Sequence, residues 1–153
     1  MSPEARHDLK NEEGKRLVPY VCPAGKWTVG FGHRLYPGSI VPGLLYSNVL
    51  WRGQITEEMA ELLLDDDIEK FSKTIADCVK VELSQNQYDA LISFIFNVGS
   101  PAFRGSTMLR FINNRLFGSA AKEFARWCHG DHNEIIPGLL LRRQREAKRF
   151  SGK

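Results

Sequence analysis

The stretch from Leu83 to Gly99, LSQNQYDALISFIFNVG, constrains the fold more than any other part of this chain. Ser84 and Gln87 have the spacing of a capping box, in which two side chains satisfy free backbone N–H groups at a helix start. Leu83 and Tyr88 fit the hydrophobic staple that brackets such a box. From Tyr88 to Val98 the residues are apolar nearly all round, and a helix of that kind is stable only when other elements surround it. The spacing therefore predicts a buried central helix that stops at Gly99, with Pro101 just beyond.

The surrounding helices are legible too. Thr56 is placed as an N-cap, and Glu57 and Glu58 follow in the first turn, where acids suit the helix dipole. Met59, Leu62, Leu63, Ile68, Phe71 and Ile75 then recur at helical spacing. That predicts a helix of about 20 residues, roughly 30 Å long and able to join two lobes. Ser106 or Thr107 caps a helix carrying Leu109, Ile112 and Leu116. Ser119 is expected to cap another, with Phe124 and Trp127 inward, and Pro137-Gly138 opens the last.

The N-terminal third reads differently. Ser2-Pro3-Glu4 is a helix start, and Gly14 a plausible stop. Leu17–Val21 and Trp27–Phe31 alternate as two short strands. Between them lies a turn at Pro23-Ala24-Gly25-Lys26, with Pro23 presetting φ. Leu35 to Gln54 reads as a long irregular connection punctuated by Pro37-Gly38, Pro42-Gly43 and Gly53, and connections of this length are often functional. Tyr46 and Trp51 within it have two readings, a sugar-binding rim or a satellite core under the loop. The expected fold class is α+β within one domain, 1–153. A small N-terminal β lobe has its hairpin at about 15–34, and a larger helical lobe spans about 56–153. The long helix after Thr56 joins them, with a cleft between.

Length, at 153 residues, suits one domain with a sizeable core. The net charge of +3 is uneven. From Leu139 onward stand six basic residues and one acid, leaving 15 basic and 17 acidic residues elsewhere. This basic segment either meets an anionic polymer or forms a solvated helix face with its cations near the C-terminal dipole. No aromatic-interleaved basic patch or standard motif supports nucleic-acid binding. Three widely spaced cysteines, Cys22, Cys78 and Cys128, make no disulfide framework and fit synthesis in a reducing compartment. No apolar run suggests a signal peptide or a stable membrane insertion, so a target outside the inner membrane requires release by something else.

Candidates for chemistry cluster near the first strands. Glu13 sits beside Gly14 at the mouth of the hairpin. A general acid that cleaves a glycosidic bond needs a raised pKa, supplied by partial burial against apolar walls. On a pleated strand Thr28 shares a face with Gly30 and Gly32, a bare groove floor apart from one hydroxyl able to hold a water. Cys22 is either a base or nucleophile, if its thiol ionises, or a small buried hydrophobe. Cys128-His129-Gly130-Asp131-His132 superficially resembles a metal cluster, but its spacing fits no standard zinc signature, and an exposed loop is the simpler reading. His33 reads as a structural residue paired with an acid. No cofactor and no metal are expected.

Three separated blocks then carry a resemblance. Glu13-Gly14, Leu17, Tyr20 and Thr28-Val29-Gly30-Phe31-Gly32-His33 form the first. Leu91–Gly99 with Phe103 and Ser106-Thr107 form the second. Phe124-Ala125-Arg126-Trp127, Pro137-Gly138-Leu139, Arg142-Arg143 and Glu146 form the third. In order, they resemble the phage-type lysozymes, or endolysins, of glycoside hydrolase family 24. The resemblance implies a lysozyme-like fold and a muramidase that cleaves the β-1,4 bond between N-acetylmuramic acid and N-acetylglucosamine in bacterial peptidoglycan, leading to cell lysis. By position, Glu13 is the general acid, and Cys22 falls where many members carry aspartate, with Thr28 on the family threonine. Phe96 and Ser106 match substrate-cleft residues. His33 and Asp67 match a structural ion pair, and Arg142 or Arg143 a partner of Glu13. The resemblance further implies a monomer made in the host cytoplasm and acting on the wall, its export dependent on a separate membrane-permeabilising protein. Cysteine in the middle place is the departure. A thiol is a poorer base than a carboxylate at acid pH, and it can be oxidised, so a disulfide with Cys78 or Cys128 would mask it. Two rivals remain: a wall amidase built on Cys22 and His33, and a binding module that keeps the fold without turnover.

Overall fold

The structure, a computed structural model, describes residues 1–22, 25–130 and 133–152. The expected turn residues Pro23 and Ala24, and Asp131 and His132 of the polar loop, lie outside the described residues. The chain forms two compact units, one of His7–Glu69 and one of Met1–Arg6 with the chain from Lys70 onward. The mixture of helices with small antiparallel sheets is the α+β class expected.

Helix α1 (Pro3–Glu13) ends at Gly14, whose φ of +68° is the left-handed conformation a helix stop favours. In the first unit, β1 (Arg16–Val21) pairs antiparallel with β2 (Trp27–Gly30), and β2 with the short β3 (His33–Arg34). The register sets Tyr20 opposite Thr28 and Val21 opposite Trp27, with an irregularity between Arg16 and Tyr20. Val29, Phe31, Leu35 and Ile55 are buried.

The connection after β3 is not irregular. It contains a second antiparallel hairpin, β4 (Leu44–Ser47) and β5 (Leu50–Gly53). The Pro-Gly pairs suggested a loop, yet both lie just ahead of the hairpin. At its base Gly43 and Gly53 pack so closely that a Cβ on Gly53 would stand 2.1 Å from the Gly43 carbonyl oxygen. Trp51 is buried, with its ring centroid 5.1 Å from that of Tyr46, so Trp51 belongs to a satellite core and not to an exposed rim.

Helix α2 (Glu57–Cys78) is 22 residues long. Thr56 Oγ1 accepts the Met59 N–H at 3.1 Å, as an N-cap should. One inward position differs from the expectation: Leu62 is exposed, while Leu63 and Leu64 are buried. Helix α3 (Gln85–Val98) has both halves of its capping box, and Gly99 closes it with φ +86°. Ala90, Leu91, Ile92, Phe94 and Ile95 are fully buried, and each large side chain among them contributes roughly 1.5–3 kcal/mol. Phe94 is the hub, with Phe103, Phe124 and Trp127 meeting it edge-on at centroid distances of 6.5, 5.2 and 5.3 Å.

Beyond Gly99 the chain enters α4 (Ser100–Arg104) at once, with Pro101 in its first turn, where a missing N–H costs nothing. Ser106 caps α5 (Thr107–Asn113) by accepting the Leu109 N–H at 3.1 Å. Ser119 is not a cap. Helix α6 begins at Phe117 (Phe117–Glu123), and the Ser119 N–H already bonds to the Leu116 carbonyl. A 3₁₀ turn, Phe124–Trp127, and α7 (Pro137–Phe150) complete the chain. The solvated cationic face expected of α7 holds in part: Arg145 and Lys148 are exposed, with Lys148 and Arg149 in the last turn, whereas Arg142 and Arg143 are buried against Glu146 of the same helix.

Candidate active site

Helix α1 delivers Glu13 half-buried at its C-terminal end, and the chain turns at Gly14 directly into β1. Tyr20 follows on β1, and Cys22, half-buried, stands one residue past the end of that strand. The register brings Thr28 of β2 opposite Tyr20.

One backbone carbonyl ties Cys22 to Thr28. The Lys26 carbonyl accepts the Cys22 N–H at 2.9 Å and the Thr28 hydroxyl at 3.0 Å. Thr28 is buried and its hydroxyl proton is committed to that carbonyl, so toward a water Thr28 offers its acceptor lone pairs.

Tyr20 is the common neighbour of this group, and the sequence reading gave it no role. Burial pushes its phenol above the usual value. The Arg16 guanidinium, 4.5 Å from the ring centroid, pulls it back, and the charges of Glu13 and Cys22 each push it further up. Both of those groups therefore lie within electrostatic reach of one phenol. The strand register then sets Thr28, which a turn separates from Tyr20 in sequence, opposite that phenol's residue.

His33 Nδ1 lies 2.9 Å from Asp67 Oδ2 in a largely buried pair. That contact occupies one ring nitrogen of the imidazole an amidase would require. Cys22, Cys78 and Cys128 are not joined by a disulfide. Among the described residues no group of three His, Cys, Asp or Glu side chains is arranged to hold a metal ion.

In the second unit, Ser106 lines a cavity of about 430 Å³ with Thr107, Glu123, Arg126 and Trp127 among its walls. The Ser106 hydroxyl also donates to the Phe103 carbonyl at 2.8 Å. Phe96 is half-buried and meets Phe71 edge-on at a centroid distance of 5.4 Å. Arg142 Nε approaches Glu146 Oε1 at 3.2 Å, Arg143 Nε approaches Oε2 at 2.8 Å, and Ser93 donates to Oε1 at 2.7 Å. Burial raises the Glu146 carboxyl above its ordinary range, against the opposing pull of Arg143, Arg142 and the Ser93 hydroxyl.

Comparison with known proteins identifies the relatives of this chain. Residues 10–146 match the family described as phage lysozyme. The endolysin of Salmonella phage P22 is 40% identical over 144 residues, covering 93% of this chain and 91% of that protein. The endolysin of Acyrthosiphon pisum secondary endosymbiont phage 1 is 38% identical over 145 residues, with 93% and 91% covered. The crystal structure of a P22 lysozyme variant superposes with a TM-score of 0.78 at 37% identity, covering 99% of this chain and 97% of that one. A chain with this match along nearly its whole length, and with this α+β fold, belongs to the phage lysozyme family and is a glycosidase of the muramidase class.

Proposed function

We propose that Glu13 is the general acid of a muramidase that cuts the β-1,4 bond from N-acetylmuramic acid to N-acetylglucosamine in peptidoglycan, with Cys22 and Thr28 managing the attacking water. The observation that supports this reading is the convergence on Tyr20. The phenol feels both Glu13 and Cys22 and sits opposite Thr28. Glu13 protonates the leaving glycosidic oxygen. Thr28 accepts a hydrogen bond from the water, which turns a water lone pair toward the anomeric carbon. Cys22, as thiolate, takes the proton the water loses. Tyr20 holds the acid and the thiol in fixed relation and touches no reacting atom. This assignment places the water on the sugar face opposite the acid, the route that inverts the anomeric centre. Phe96 and Ser106 contact the substrate. His33 and Asp67 stiffen the strand that carries the reacting groups, and Arg142 and Arg143 support the helical unit.

The biological outcome proposed is bacterial cell lysis by a monomeric single catalytic domain, 1–153, which reaches the wall after a separate protein permeabilises the inner membrane. No helix among the described residues is long and apolar enough to cross a membrane. The test is the product released from purified peptidoglycan. New reducing ends without new free amines support the glycosidase, and free amines without reducing ends overturn it in favour of a Cys22-based amidase. NMR of the first-formed product then reads the anomer, and retention would remove the water from the role given to Thr28.

A further inference from the structure

The β4–β5 hairpin has two unlike faces. Tyr46 opposite Trp51 makes the inward face, where the two rings meet and Trp51 is buried. The alternate pairs, Leu45 opposite Arg52 and Ser47 opposite Leu50, fall on the other face by the two-residue period of the pleat. There Leu45 is 65% exposed and Leu50 42% exposed, and Val49 at the tip is 73% exposed. Ile40, just before the hairpin, is almost wholly exposed.

The tip carries a second, independent peculiarity. Asn48 and Val49 are the two central residues of the turn, and both have positive φ, 48° and 61°. A two-residue turn of this kind selects Asn followed by Gly. Here a β-branched residue takes the glycine position, where its side chain is strained. The chain thus holds an apolar side chain in solvent at a place where a glycine would be relaxed. Strain of this sort collects where a segment has work to do.

Charge in the sequence segment that holds the hairpin is one-signed, with Arg52 on the hairpin itself and Lys15 of that segment paired with Glu57. Between Gly14 and Thr56 the chain carries five Lys and Arg residues and no Asp or Glu. A convex tip of Val49, Leu45 and Leu50, with Arg52 beside them and no acid in the segment, suits a surface that is apolar below and anionic above. A second copy of the chain would set like charge against like. An anionic glycan would satisfy the cations and leave the leucines in water.

We propose that the β4–β5 hairpin is a peripheral docking surface for an anionic lipid bilayer. The apolar tip enters the headgroup boundary and Arg52 pairs with lipid phosphate. Apolar burial and attraction to anionic headgroups add in such contacts, and neither requires a spanning helix. The surface would hold the enzyme at the membrane side of the wall.

The test is co-sedimentation of the full chain with vesicles of equal parts phosphatidylglycerol and phosphatidylcholine, against vesicles of phosphatidylcholine alone. Val49→Gly is the first variant, because it gives the turn its preferred residue and so keeps the fold while deleting the apolar tip. Leu45→Thr with Leu50→Thr is the second, since threonine suits a strand. Both leave α7 and its cations untouched. The expected result is binding of the wild type to the anionic vesicles only, and partitioning weaker by about tenfold or more in each variant that melts like the wild type. Wild type that stays in the supernatant would overturn the proposal. So would variants that bind as well as the wild type, which would assign the attraction to cations elsewhere, or a wild-type dimer that Val49→Gly dissociates.

Discussion

Replacing Arg143 with methionine tests the packing of the helical unit where it is most highly charged. Arg143 has no solvent exposure, its guanidinium lies 5.0 Å from the Phe94 ring centroid, and it meets both Glu146 oxygens, at 2.8 and 2.9 Å. Methionine fills similar space and leaves Glu146 with Arg142 and Ser93. Breaking a buried pair by removing one partner costs about 3–5 kcal/mol, and the surviving Arg142 contact sets the expectation near the lower end, about 3 kcal/mol. Against a total stability of roughly 5–15 kcal/mol this is a large fraction. It corresponds to a melting temperature lower by roughly 6–12 °C for a chain of this length. The loss should also depend on pH. Burial already raises the folded-state carboxyl above its unfolded value, and removing Arg143 removes the largest opposing pull. Between the two values the native variant binds more protons than its unfolded chain. Its stability contribution is therefore intact below the ordinary carboxyl range and is lost as pH rises through the raised value. Denaturant titrations of wild type and variant at about pH 5 and about pH 8 read this directly. The gap between the two proteins should be wider at the higher pH. A gap under about 1 kcal/mol, or one equal at both pH values, would refute the reasoning, since a lost buried charge pair cannot give either.

Other consequences concern the reacting groups and the central helix. Cys22→Asp should change the shape of the pH–rate profile, because a carboxylate then replaces a thiol as the group that takes the proton from water; superimposable profiles would remove Cys22 from proton transfer. Tyr20→Phe should preserve the melting temperature within a few degrees while lowering kcat several-fold with little change in KM, as expected of a residue that positions the acid and thiol; a change in KM alone would assign Tyr20 to substrate binding. Ser84→Ala should cost about 1 kcal/mol by denaturant titration through loss of the α3 capping box, and a loss below a few tenths would mean the box does not hold the helix start.

Much of the fold is legible where the signal is local. Ser84, Gln87, Leu83 and Tyr88 lie within six residues of one another, and α3 begins where they say. Thr56 and Ser106 are legible as caps for the same reason. The β4–β5 hairpin is hidden because Val49 stands where a turn signal would put glycine, and because its base closes through Gly43 and Gly53, ten residues apart. Ser119 misleads because a serine suits a cap and a helix's first turn alike, and only the Leu116 carbonyl decides between them. Burial of Arg142 is beyond local reading, since it depends on Ser93, 49 residues away, whose carbonyl accepts from Arg142. At the candidate site, Glu13, Cys22 and Thr28 are visible by residue type and by resemblance. Tyr20 stands in the same block of the resemblance without a role, since a tyrosine on a strand is ordinary until the register sets it across from Thr28.

The central claim is that one carboxyl at the end of α1 donates the proton that breaks the glycosidic bond. Glu13→Gln keeps the size and removes the acid. Clearing of purified peptidoglycan by the folded variant, measured beside the wild type at matched concentration, tests the claim most directly. The account predicts a rate lower by about 10² or more, the range a positioned general acid contributes. Clearing at the wild-type rate would contradict it.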